Sequence, residues 1–132
     1  PLPSQVISIL NTLKPISGHR DYVFPSSTSP NKPASSQSAN MAIKRMGYKG
    51  KLVSHGLRAL ASTTLNEQAF DSDIIEVALS HIDKNTIRAA YNRAEYLERR
   101  RIMMQWWSNH IHQASCGHIV TKEGVKSLKV VN

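Results

Sequence analysis

Apolar positions along this chain recur mostly at three- and four-residue intervals, the period of an α-helix buried on one side. Val6, Ile9, Leu10 and Leu13 share one face of a helix predicted from Ser4 to Leu13, with Ser4 as its cap and Pro15 and Gly18 as its stop. Asp21–Phe24 reads as a short extended stretch halted by Pro25. The Ser-, Pro- and Asn-rich run from Pro25 to Ser38 reads as a flexible surface loop. A second helix is predicted over Ser38–Met46, stopped by Gly47, and Gly50–Val53 is a linker. The clearest element is Ser54–Glu67, where Leu57, Leu60, Ala61, Thr64 and Leu65 form a core-facing stripe. Asp71-Ser72-Asp73 opens the next helix. There Asp73 and Glu76 have the spacing of a capping box, and Ile74, Ile75, Ala78 and Leu79 are the apolar side. Lys84-Asn85 is a turn, a helix follows from about Thr86 with a kink near Tyr91, and a long helix runs from about Ala94 to His112. Its apolar positions are Leu97, Met104 and Ile111, with Met103 and Trp107 beside them. The tail after Gly117 is polar. The fold class expected is mainly α with little β structure.

The 132 residues suggest one domain, and 40% hydrophobic residues support one modest core. Seventeen Lys and Arg against nine Asp and Glu give a formal charge of +8, which points to a polyanionic partner, nucleic acid first. No apolar run approaches a membrane span, and the N-terminus lacks the pattern of a secretory signal. The single cysteine, Cys116, excludes an internal disulfide framework and fits a reducing cytoplasm. The chain starts without Met and reads straight into structured-looking sequence, as a fragment does.

Three groups could carry chemistry. His55 and Arg58, three residues apart, fall on one side of their helix, away from the Leu57, Leu60, Ala61 and Thr64 stripe. A forked permanent cation beside an imidazole suits a tetrahedral phosphate, although such a pair on its own is more often a solvated face. His81, at the end of the Ile74–Leu79 helix, suits the helix dipole. Tyr91, among small residues, could fill a core gap with its hydroxyl at the edge.

Taken in order, these residues resemble the C-terminal half of the tyrosine recombinase (phage integrase) active site, closest to phage and genomic-island integrases of the P4 type. The resemblance rests on Ser54-His55-Gly56-Leu57-Arg58-Ala59, then Leu79-Ser80-His81-Ile82-Asp83-Lys84-Asn85. It continues with Arg88-Ala89-Ala90-Tyr91-Asn92-Arg93-Ala94-Glu95-Tyr96-Leu97-Glu98-Arg99-Arg100 and Met103-Met104-Gln105-Trp106-Trp107. It covers about residues 1–112 and is strongest over 54–107. It implies the helical C-terminal part of a tyrosine recombinase catalytic domain over 1–112, followed by a basic tail over 113–132. It also implies a site-specific recombinase that breaks and rejoins attachment-site DNA through a 3′-phosphotyrosyl intermediate. Arg58, His55 and His81 would hold the scissile phosphate and Tyr91 would attack it. No cofactor or metal is expected. The implied partners are double-stranded attachment DNA, further copies of the chain on that DNA, an excisionase and a host DNA-bending protein, with no membrane.

Two departures bear on this. Family members carry another catalytic Arg upstream of the His-x-x-Arg motif and a Lys on a hairpin. Leu2-Pro3-Ser4 resembles the stretch just beyond that hairpin, and Lys14, Arg20 and Arg45 stand in the wrong context to replace either residue. The expectation is a truncated catalytic domain with weak or no cleavage alone, which leaves a non-catalytic helical DNA-binding module as the alternative. A basic helical protein that binds RNA or a protein is a third reading.

Lys44, Arg45, Lys49 and Lys51 bracket the second helix and are candidate DNA-backbone contacts. His110, His112, Cys116 and His118 crowd together but lack a paired-cysteine motif, so a frayed helix end is preferred over zinc. Asp71, Asp73 and Glu76 read as dipole partners at a helix start rather than as a magnesium site. Trp106-Trp107 read as packing rather than base-stacking residues.

Overall fold

The computed structural model describes residues 1–79, 96–121 and 124–127. They fall into two compact units: Gln5–Leu60, and Pro1–Ser4 together with Ala61–Asn132. The elements are α1 (Ser4–Ser17), α2 (Ser38–Ile43), α3 (Ser54–Glu67), α4 (Ser72–Ala78) and α5 (Leu97–Ser115), then strands β1 (His118–Thr121) and β2 (Gly124–Ser127). The chain is mainly helical, as its periodicity predicts.

In the first unit, α1 outlasts its predicted stop. Pro15 lies inside the helix, in the last turn. Its ring only removes one helical bond there, so the turn still closes. Gly18 then bonds from its N–H to the Lys14 carbonyl at 2.8 Å. A Cβ at Gly18 would collide with that same backbone oxygen, so a side chain is excluded there. Ile9, expected on the apolar face, is 60% exposed, while Val6, Leu10 and Leu13 are half-buried. Beyond α1, Ser17 Oγ donates to the Val23 carbonyl at 2.8 Å and pins the extended stretch to the helix end.

The run predicted as a flexible loop is instead closed by an antiparallel bridge between Pro25 and Pro33. The two bonds that close it are Ala34 N–H to Phe24 O and Ser26 N–H to Lys32 O, each 2.8 Å. Both prolines sit opposite each other at the register position that needs no N–H, so two non-donors are accommodated in a paired segment. α2 gives way at Lys44–Tyr48 to one wide turn of π type, with Gly47 inside it at φ 90°, where a glycine carries no steric penalty.

The second unit holds the core. Leu65, Ile74, Ile75 and Met103 are buried together, with Phe70, Ala78, Leu79, Tyr96, Met104, Trp106 and Trp107 packed around them. α3 ends with Ala69 N–H bonded to Asn66 O at 2.9 Å and Phe70 N–H to Leu65 O at 3.1 Å. This closure requires a left-handed residue, and Ala69 supplies it at φ 53°. It turns Phe70 back onto Leu65, the hydrophobic contact that accompanies such an end. α4 is capped by Asp71, whose carboxylate accepts from the Asp73 N–H at 3.0 Å. The cap is therefore two residues earlier than the predicted Asp73, which stands in the first turn.

The predicted stripes are shifted in detail. On α3, Ala61 and Leu65 are buried and Thr64 is half-buried, but Leu57 and Leu60 are exposed. On α5, Met103 is buried and Met104 and Trp107 are half-buried, while Leu97 and Ile111 are exposed. Leu97 is the first residue of α5 and Ile111 lies in its last two turns, so the apolar row is buried only along the middle of the helix. The tail is not featureless: β1 and β2 pair antiparallel, His118 opposite Ser127 and Thr121 opposite Gly124. The predicted turn at Lys84-Asn85 and the helix from Thr86 lie outside the described residues.

Candidate functional site

His55 stands in the first turn of α3 and Arg58 one turn further on, at the end where the helix dipole favours an anion. His55 is exposed and Arg58 half-buried. The residue before the helix, Val53, has no side-chain oxygen to cap it. The acceptor comes from α2: Asn40 Oδ1 receives the Ser54 N–H at 2.8 Å, across fourteen residues of sequence. The connector between them is closed by Lys51 and Leu52 N–H groups, both bonded to Tyr48 O at 3.0 Å. Asn40 is the functional-region residue that sequence reasoning missed. Its only sequence signal is a polar residue placed inside a short helix.

Lys44, Arg45, Lys49 and Lys51 lie on and just after the wide turn, all exposed. They thus precede α3 by one short connector within the same unit. None of them, nor Arg58, forms an ion pair among the described residues, and the unit contains a single acid, Asp21. Unpaired, solvated cations are available to phosphates at small desolvation cost.

The second unit uses its charges differently. Arg99 pairs with Asp71 Oδ2 at 3.0 Å and lies 6.0 Å from the centre of the Tyr96 ring, and Arg101 pairs with Glu98 at 3.3 Å. Asp71 is thus occupied by the α4 cap and by Arg99. Trp106 packs on Phe70 with ring centres 5.2 Å apart, and His110 stacks on Trp106 and Trp107 at 5.1 and 5.5 Å. These rings line the core rather than offering a face to a base. Among the described residues no three His, Cys, Asp or Glu side chains gather as metal ligands, and Cys116 is exposed.

His81 and Tyr91 lie outside the described residues. The structure places His55 and Arg58 together on α3, one short connector after the basic turn.

The model of the phage integrase family matches residues 1–98. The prophage integrase IntA of Escherichia coli (strain K12) is 54% identical over 120 residues, covering 91% of this chain and 29% of the relative. The integrase of Enterobacteria phage P4 is 40% identical over 115 residues, covering 84% of this chain and 26% of the relative. The integrase of Shigella phage Sf6 is 38% identical over 117 residues, covering 86% and 30%. This chain thus spans less than a third of the length of these relatives. No solved structure matches it. No described helix is long and apolar enough to cross a membrane. With its family model matched over most of its length and its His-x-x-Arg pair on the first turns of α3, the chain belongs to the phage integrase family.

Proposed function

We propose that this chain supplies part of the catalytic region of a site-specific DNA integrase, which cuts and rejoins attachment-site DNA through a 3′-phosphotyrosyl intermediate. The observation that carries the reading is the His55/Arg58 pair on the anion-favouring end of α3, preceded in the chain by four exposed cations that form no ion pair among the described residues, in a member of that family. Residues 1–112 belong to the catalytic domain and 113–132 form a basic C-terminal extension. The partner is double-stranded attachment DNA in the cytoplasm, bound by more than one copy of the protein, with an excisionase and a host DNA-bending protein as accessory partners.

In this reaction Arg58 and His55 hydrogen-bond the non-bridging oxygens of one phosphate, and His81 adds a further bond. The negative charge that grows on those oxygens meets donors already in place. Tyr91 supplies the nucleophile. Its phenol loses a proton, the Oη–phosphorus bond forms, the bond to the 5′-oxygen breaks, and that oxygen takes up a proton. A free phenol has a pKa of about 10, so neighbouring cations that favour the phenolate raise the rate at neutral pH. The new ester conserves the energy of the old one, and attack by another strand's 5′-hydroxyl reverses the step on a new partner. Lys44, Arg45, Lys49 and Lys51 hold the flanking backbone without reading sequence.

The test is a nicked attachment duplex that releases a short strand after cleavage and so traps the covalent state. The complete gene product is expected to form an adduct that survives denaturation, and Tyr91→Phe is expected to abolish it while leaving binding intact. Salt-sensitive binding with no adduct would identify a non-catalytic DNA-binding module instead.

A further inference from the structure

We infer that Asn40 is a positioning residue for strand transfer: its side chain fixes where α3 begins, and with it the placement of His55 and Arg58 on the scissile phosphate. The inference rests on the integrase reading above and adds a residue to it. Its basis is geometric. The first N–H groups of a helix have no partner within the helix. In α3 the preceding residue, Val53, cannot provide one, and the Ser54 N–H instead reaches Asn40 Oδ1 at 2.8 Å. Asn40 is half-buried, so this bond is less exposed to competing water than one on the open surface. His55 is the next residue after the capped N–H, and Arg58 is one turn further on.

The same asparagine sits in α2, whose continuation is the wide turn that carries Lys44 and Arg45. The Tyr48 carbonyl bonds close the far side of the connector. The segment that grips the backbone and the helix end that grips the reacting phosphate are thus joined by the chain at one side and by the Asn40 side chain at the other. Loss of the Asn40 acceptor frees the first turn of α3 to fray, and His55 and Arg58 lose their fixed start. Clamps of this kind act within about half an ångström, so a small loosening is felt in the rate.

Asn40→Ala removes the acceptor. Asn40→Asp retains an oxygen in the same place, and its charge suits a helix start. In the complete gene product with the nicked attachment duplex, Asn40→Ala is expected to slow adduct formation at saturating DNA by about 10-fold, the effect of losing one cap. The DNA Kd should stay within about twofold, and Asn40→Asp should restore the rate. Amide exchange at Ser54 should quicken in Asn40→Ala and not in Asn40→Asp. A wild-type rate in Asn40→Ala overturns the inference, as does an Asn40→Asp variant as slow as Asn40→Ala. So does a loss of affinity that accounts for the whole loss of rate, because Asn40 would then be a DNA contact. Arg58→Ala serves as the reference. If it leaves the adduct rate unchanged, the integrase reading fails; if it lowers the rate while Asn40→Ala does not, only the role of Asn40 fails.

Discussion

Gln5–Leu60 holds eight lysines and arginines against one acid, whereas the other unit holds nine against eight. Burial runs the opposite way. The core cluster of Leu65, Ile74, Ile75 and Met103 belongs wholly to the second unit, while in the first only Ser17 is buried. Among the described residues, twelve of the sixteen exposed large hydrophobic ones are in the first unit. That unit keeps its shape through specific bonds: Ser17 to Val23, the Pro25/Pro33 bridge and Asn40 to Ser54. The second keeps its shape by excluding water from side chains, each worth about 1.5–3 kcal/mol when fully buried. The comparison teaches where each kind of substitution is felt. Loss of a cation or a polar bond in the first unit should alter chemistry on DNA, and loss of volume in the second should alter stability.

The largest separation between the two is expected at Arg58. Arg58→Ala should lower the rate of adduct formation by about 10²–10³-fold, the range seen when one preorganised donor to a developing oxyanion is removed. Its denaturant midpoint should stay near wild type, because a half-exposed side chain outside the core is removed. A matching collapse of stability would erase the distinction. Next comes Ile75, fully buried in the core. Ile75→Ala should cost about 2–5 kcal/mol in denaturant unfolding, through lost burial and the cavity left behind. Protein that remains folded should still bind DNA with its usual salt dependence. A cost under about 1 kcal/mol would mean the cluster is not the centre of stability. The smallest effect is expected at Ala69. An alanine at φ 53° carries about 1–2 kcal/mol of strain, more than the extra unfolded-state entropy of a glycine. Ala69→Gly should therefore raise stability by about 0.5–1 kcal/mol, and a loss on that scale would contradict the left-handed helix end.

Much of the second unit was legible because its signals are local. Isoleucines at 74 and 75 follow an acidic start, and the α5 methionines and tryptophans cluster at helical steps. Local reading erred where two local options compete. Asp71 and Asp73 are both competent caps, and the choice falls to Asp71, whose second oxygen is held by Arg99 twenty-eight residues away. The leucines at 57 and 60 satisfy the helical period, yet periodicity cannot say how far along α3 the core extends. The hairpin after Gly117 went unread because four-residue strands give little alternation to count. The Pro25/Pro33 bridge was hidden because proline is a turn signal first, and its use at a bond-free register position shows only once the strands are paired. In the candidate site, the residue types and spacing of His55 and Arg58 were visible in sequence. Asn40 was not, because a cap delivered from another helix leaves no trace in local pattern.

If Tyr91 is the nucleophile, its phenol becomes esterified to DNA. The most direct measurement is to trap the covalent state on a nicked attachment duplex, digest the protein, and locate the nucleotide-bearing peptide by mass spectrometry. A 3′-phosphate on Tyr91 and a free 5′-hydroxyl on the released strand are expected. A linkage at any other residue, or cleavage that leaves a 5′-phosphate and no protein attached, would contradict that role.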